Sequence, residues 1–186
     1  KNENNRLARM SYTINENNII GLRTIVLVIM SIVAVQIIVY LGVSQITFRL
    51  DIIGIKIVMF FLGALLLFSF SKIKKTKVFF EKYSNIYIGS VILGILLMAI
   101  ANTFFAQAIS SDISIYILVL FSVVAAVRMP PKNISVILVI SYIIFAIGLP
   151  VFQSNMSFLV PHLINGLIIN IIAFFISRML YLYAVA

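Results

Sequence analysis

The chain has 186 residues, 63% hydrophobic and 10% charged, with a formal net charge of +9 and no cysteine; its mean hydropathy is +1.18. Soluble domains are near half apolar and a quarter charged, so the composition is that of an integral membrane protein. The missing cysteines exclude disulfides, thiolate metal sites and cysteine nucleophiles, and one His with five acidic residues is too sparse for a metal centre or a carboxylate-rich active site.

Residues 1–23 form a polar leader, "KNENNRLARMSYTINENNIIGLR". No signal-peptide pattern is visible in it, because the first apolar run is too long for an h-region. Leu7, Met10 and Ile14 recur at helical spacing, which predicts a short interfacial helix before the first span. Six apolar segments then follow over residues 24–186: Thr24–Val43, Ile52–Ser71, Ile86–Ala106, Ile113–Val127, Ile134–Pro150 and Leu159–Tyr183. A span needs about 20 residues to cross roughly 30 Å of hydrocarbon. The first three fit. The fourth and fifth are short, and must recruit flanking residues or sit where the bilayer thins; the sixth is long enough to tilt or project into water. The runs are continuously apolar, so alternating barrel strands are excluded.

Basic residues set the orientation. The leader carries Lys1, Arg6, Arg9 and Arg23; the second loop carries Lys72, Lys74, Lys75, Lys77 and Lys82; Arg128 and Lys132 follow the fourth span, and Arg178 closes the sixth. Only Arg49 and Lys56 fall on the other side, beside Asp51 and Asp112. The expectation is an all-α integral membrane fold with six transmembrane helices, both termini cytoplasmic. Lys72, Lys74, Lys75, Lys77 and Arg178 are expected to meet anionic lipid rather than nucleic acid. Lys56 and Asp51 are the expected outer-leaflet charges, with the amine expected to turn outward, within reach of Asp51 or Asp112.

The sixth span carries His162, Asn165, Gly166, Asn170, Ala173 and Ser177 within an arc of about 140°. The ground-state reading is a packing face: amide groups as interhelical hydrogen-bond partners and small residues for close approach. The sharper reading makes His162, Asn165, Gly166, Asn170 and Ser177 line a ligand pocket. Gln36, Asn102 and Gln107 are scattered polar residues, with bundle hydrogen bonds as the default. No Walker loop, HExxH or GxSxG motif occurs, so no catalytic residue or cofactor is expected. The loops are too short for an external ligand-binding domain. No convincing repeat links the two halves, which counts against a secondary transporter.

The segments "NENNIIGLR", "ISYIIFAIGLPVFQSN" and "LINGLIINIIAFFISRMLYLY" carry a resemblance, through Asn18, Arg23, Pro150, Phe152, Gln153, Asn165, Ser177, Arg178 and Tyr181. The chain resembles the N-terminal membrane region of clostridial-type signalling proteins, above all diguanylate cyclases with a GGDEF domain; related regions precede histidine kinase domains. What the resemblance implies is a membrane-embedded sensory and dimerising module in a bacterial plasma membrane. Its partners would be the lipid bilayer, a second copy of the chain and a small or lipid-soluble ligand. It would control a cytoplasmic enzyme that makes cyclic di-GMP. No GGDEF, HD-GYP or kinase motif lies in these residues, and the expectation is that a catalytic domain follows Ala186. The alternatives are a small transporter or channel component, or a structural subunit of a membrane complex.

Overall fold

The computed structural model describes residues 2–42, 49–73, 77–107 and 111–186, and the side chains of 10–42, 53–72, 83–107 and 111–186. Six helices follow one another: α1 (Asn2–Gly42), α2 (Arg49–Ile73), α3 (Lys77–Gln107), α4 (Ser114–Ala126), α5 (Pro131–Phe152) and α6 (Met156–Val185). All but α4 are long and apolar enough to cross a membrane. At 13 residues, α4 is about 20 Å long, short of the roughly 30 Å hydrocarbon layer.

Every helix but α4 starts ahead of its apolar run, α3 by nine residues at Lys77, and for two of them the physical reason is visible. The fifth helix begins at Pro131, whose fixed φ and missing N–H suit the first helical position, and this extends it to 22 residues. The first helix starts within the leader, because the leader's amides find partners in the bundle. Asn15 Nδ2 donates to Ser84 Oγ at 2.8 Å. Asn18 Nδ2 donates to the Arg128 carbonyl at 2.8 Å, and the Arg128 N–H donates back to Asn18 Oδ1 at 2.7 Å. This two-way amide pairing anchors α1 to the link between α4 and α5.

The helices alternate in direction. At one end stand Asn15, Asn18, Ser84 and Arg128, and Ala184 of α6 borders the same groove as Met10 and Thr13. At the other end, His162 Nε2 lies 2.8 Å from the Ser111 carbonyl, and Gln153 Nε2 donates to Gln107 Oε1 and Ser111 Oγ, both at 3.1 Å. Short as it is, α4 runs from the Ser111 end to the Arg128 end.

Packing follows the helical stripes. On α3, Ile88, Ile92, Ile95, Leu96 and Ile100 are all 1% exposed or less, and half of its apolar window is inside the protein. They recur on one face and meet Leu120, Val123 and Val124 of α4 and Ile134 and Leu138 of α5 in a single core. Tyr116 and Phe145 stack at its centre, ring centroids 4.8 Å apart. The core helices α3 and α4 thus lie in the middle, with α2 packed on α1 and α3 at one edge and α6 on α4 and α5 at the other. Gly21 lets α1 meet α4 closely: a Cβ there would lie 2.9 Å from the Ala126 carbonyl oxygen.

Candidate ligand pocket between the first four helices

The structure divides the expected polar face of α6. Gly166, Asn170, Ala173 and Ser177 are buried. Asn170 Nδ2 donates to Tyr116 Oη and to the Gly166 carbonyl, both at 2.8 Å, while its Oδ1 and Ser177 Oγ are buried without partners. A Cβ at Gly166 would meet the Phe145 ring at 2.8 Å, so the glycine sets how closely α5 and α6 pack. Asn165, in contrast, is exposed. At about 100° per residue it stands some 100° from Gly166, whereas Asn170, Ala173 and Ser177 stay within about 40°. Because, among the described residues, α6 packs mainly on α4 and α5, the buried arc is narrower than the polar one, and Asn165 falls outside it. His162 is half-buried and joins the end cluster instead of a pocket. The face is therefore mainly a packing seam.

Around His162 the end cluster is closely connected. Gln107 Nε2 donates to the Asp112 carbonyl at 2.9 Å, and the Asn155 N–H donates to Gln153 Oε1 at 3.1 Å. Ser111 has φ of 46°, a left-handed conformation uncommon outside glycine. Asp112 Oδ1 accepts from Ser114 Oγ at 2.7 Å and from the Ser114 N–H at 2.9 Å.

Lys56 corrects the sequence expectation. It is 4% exposed and turns into the bundle, where Nζ donates to Asn102 Oδ1. An ammonium inside a low-dielectric bundle requires an acceptor, and the Asn102 amide supplies one. The Asp51 side chain lies outside the described residues, as do Lys74, Lys75 and the side chain of Lys77. Lys72 is exposed, with Nζ 5.2 Å from the Phe68 ring centroid, and Arg178 is exposed.

Sequence reasoning missed the pocket that Lys56 supports. A cavity of about 310 Å³ lies among α1, α2, α3 and α4, within the usual size of small-molecule sites. Its wall is almost wholly apolar, including Ile25, Val33, Met59, Ile95, Ala99 and Val119. Val28, Ile32 and Leu118 on its rim are 45–59% exposed, so it opens sideways between α1 and α4. Thr24 and Gln36 mark its extent along α1, about 18 Å apart at 1.5 Å per residue.

The polarity of this cavity is concentrated at one end. Thr24 and Ser122, at the Arg128 end, spend their hydroxyls on their own helices, bonding the Ile20 and Leu118 carbonyls at 3.1 and 2.7 Å. At the Ser111 end stand Gln36, whose Oε1 is buried without a partner, and Asn102. Because an ammonium only donates, Asn102 must present Oδ1 to Lys56, which leaves its Nδ2 donor for the cavity. The signal for this site lay in three polar residues of separate spans at similar depth, Gln36, Lys56 and Asn102. Only the packing shows that they converge.

Met59 and Met98 separate this cavity from a second groove, between α2 and α3, that Gly54 and Gly94 also line. Among the described residues, no group of three or more His, Cys, Asp or Glu side chains could hold a metal ion. Comparison with protein-family models, curated proteins and solved structures finds no match for this chain.

Proposed function

We propose that the chain is a membrane-embedded sensory module of a bacterial plasma-membrane signalling protein, crossing the bilayer six times with both termini cytoplasmic. The observation that carries this reading is the lateral pocket of α1 to α4, apolar along its length with an amide pair at one end. Pockets with mainly apolar walls and few convergent polar groups are the usual receptors for small ligands. Its opening faces the region where lipid lies, so a ligand dissolved in the membrane reaches it without crossing water.

Six spans are supported by the course of α4, which joins the His162 end to the Arg128 end despite its length. The concentration of lysine and arginine at the Arg128 end supports cytoplasmic termini. The output follows from the sequence resemblance: a diguanylate cyclase or related kinase domain, regulated as a homodimer. A ligand seated between α1 and α4 would displace α4 relative to α3. Because α6 packs on α4, that shift would pass to the helix nearest the output.

The test is to fill the pocket in the complete gene product. Ala99→Phe places a ring in the cavity, and Ile147→Phe, at a position 71% exposed, serves as control. Ala99→Phe is expected to fix cellular cyclic di-GMP at one level whatever the growth condition, with Ile147→Phe unchanged from wild type. If neither variant alters cyclic di-GMP while both are in the membrane, the sensory reading fails. A solute flux into vesicles that Ala99→Phe blocks would assign a carrier instead.

A further inference from the structure

The chemistry at the polar end of the pocket defines what fits it. We infer that the cavity binds a single-chain amphiphile whose uncharged head both accepts and donates a hydrogen bond, as a primary amide or an alcohol does. The inference rests on the sensory-pocket reading and names the ligand class.

The head-group side of the argument begins with Lys56. Its ammonium fixes Asn102 with Oδ1 toward the lysine, so the amide cannot exchange its two ends without bringing N–H against N–H. A donor already bonded to a cation through its own carbonyl is polarised, which makes Asn102 Nδ2 a strengthened donor for a ligand oxygen. Gln36 Oε1, buried without a partner, requires an N–H or O–H. One donor and one acceptor at the same end of one cavity match a head of opposite pattern. A carboxylate would satisfy Asn102 but meet Gln36 Oε1 as that amide is oriented, and would require it to turn its Nε2 inward. A quaternary ammonium would satisfy neither. An alkane would leave the Gln36 oxygen unpaired in an apolar cavity, a costly arrangement.

The tail side follows from shape. From Gln36 the cavity runs about 18 Å toward Thr24, where the serine and threonine hydroxyls are already bonded within their helices. Carbon–carbon bonds of about 1.5 Å advance an extended chain roughly 1.3 Å per carbon, so about 14 carbons span it. The lateral opening at Val28, Ile32 and Leu118 admits such a chain from the lipid side by side, without threading.

Binding to the full chain in lipid nanodiscs, counted in excess of protein-free discs, tests the inference. The probes are radiolabelled tetradecanamide, tetradecanol, tetradecane and tetradecanoate. Saturable binding of the amide and the alcohol about tenfold tighter than the alkane is expected, since one rescued buried acceptor is worth about 1–3 kcal/mol. Gln36→Leu removes the unpaired oxygen without needing a new partner, so it should fold; it is expected to reduce the preference, leaving the share due to Asn102, while retaining alkane binding. Equal affinity for amide and alkane overturns the head-group assignment but leaves the pocket. Tighter binding of tetradecanoate overturns the uncharged head in favour of an anionic one. Absence of saturable binding by all four probes overturns the assignment together with the sensory pocket on which it rests.

Discussion

Asn18 does more for this protein than its place in a polar leader suggests. It is 1% exposed, and its amide takes both the N–H and the C=O of Arg128. Removing it leaves two backbone groups unpaired, at about 1–3 kcal/mol for each buried group. Asn18→Leu is therefore expected to destabilise the protein by about 2 kcal/mol or more, read as a lower melting temperature in detergent. The neighbouring exposed Asn17→Leu should melt near wild type. Asp112 makes the complementary case at the far end. Hydrogen bonds from the Ser114 hydroxyl and N–H, aided by the charge of His162, hold its carboxyl below the usual 3.8. A depressed folded-state pKa contributes stability that is complete above the unfolded value and is lost as pH falls through the folded one. Asp112→Asn should accordingly flatten the loss of stability below about pH 4, measured as melting temperature against pH. Because the group is solvent-exposed, the effect is small. An unchanged acid limb would show that Ser114 gains nothing from the charge.

The helices themselves were legible in the sequence, but their limits and faces were not. Continuous apolar runs located α2, α4, α5 and α6 within three residues, since a continuously apolar segment satisfies its backbone in lipid as a helix, whereas α3 begins at Lys77, nine residues before the apolar run at Ile86. The run in α1 underestimated that helix, because Asn15 and Asn18 read as solvated leader until Ser84 and Arg128 supply partners from far along the chain. Lys56 was misread for the same reason: its acceptor, Asn102, is on another helix. The pocket needed all four helices to be placed, and no single periodicity encodes it. At this scale the contact of α1 with α4 is set by Gly21. Gly21→Ala would drive a methyl against the Ala126 carbonyl, a backbone atom that cannot swing aside. Overpacking of this kind costs about 1–3 kcal/mol. Gly54→Ala meets nothing within 4 Å and should be neutral or slightly stabilising. Equal melting temperatures for the two variants would show that α1 stands off from α4.

For the whole molecule, the alternation of helix ends has a direct readout. Lys132 and Ser154 are exposed at opposite ends of α5. Under the proposed topology, Ser154→Cys in intact cells should react with an impermeant maleimide, and Lys132→Cys only after permeabilisation. Reaction of both from outside would remove the six-span arrangement. These 186 residues contain no cysteine, so no other position among them would react.

The wall between the two cavities consists of Met59 and Met98. Methionine turns about three unbranched bonds, and side-chain rotamer jumps occur in picoseconds to nanoseconds where packing allows. The partition is therefore one that can be reshaped by rotamer change alone. Under the proposed ligand reading, the groove between α2 and α3 would act as spare room for a methyl branch or a double-bond kink. On the same reading, breadth of ligand choice would be governed by two thioethers and the choice of head by the amides above them, with no helix required to move.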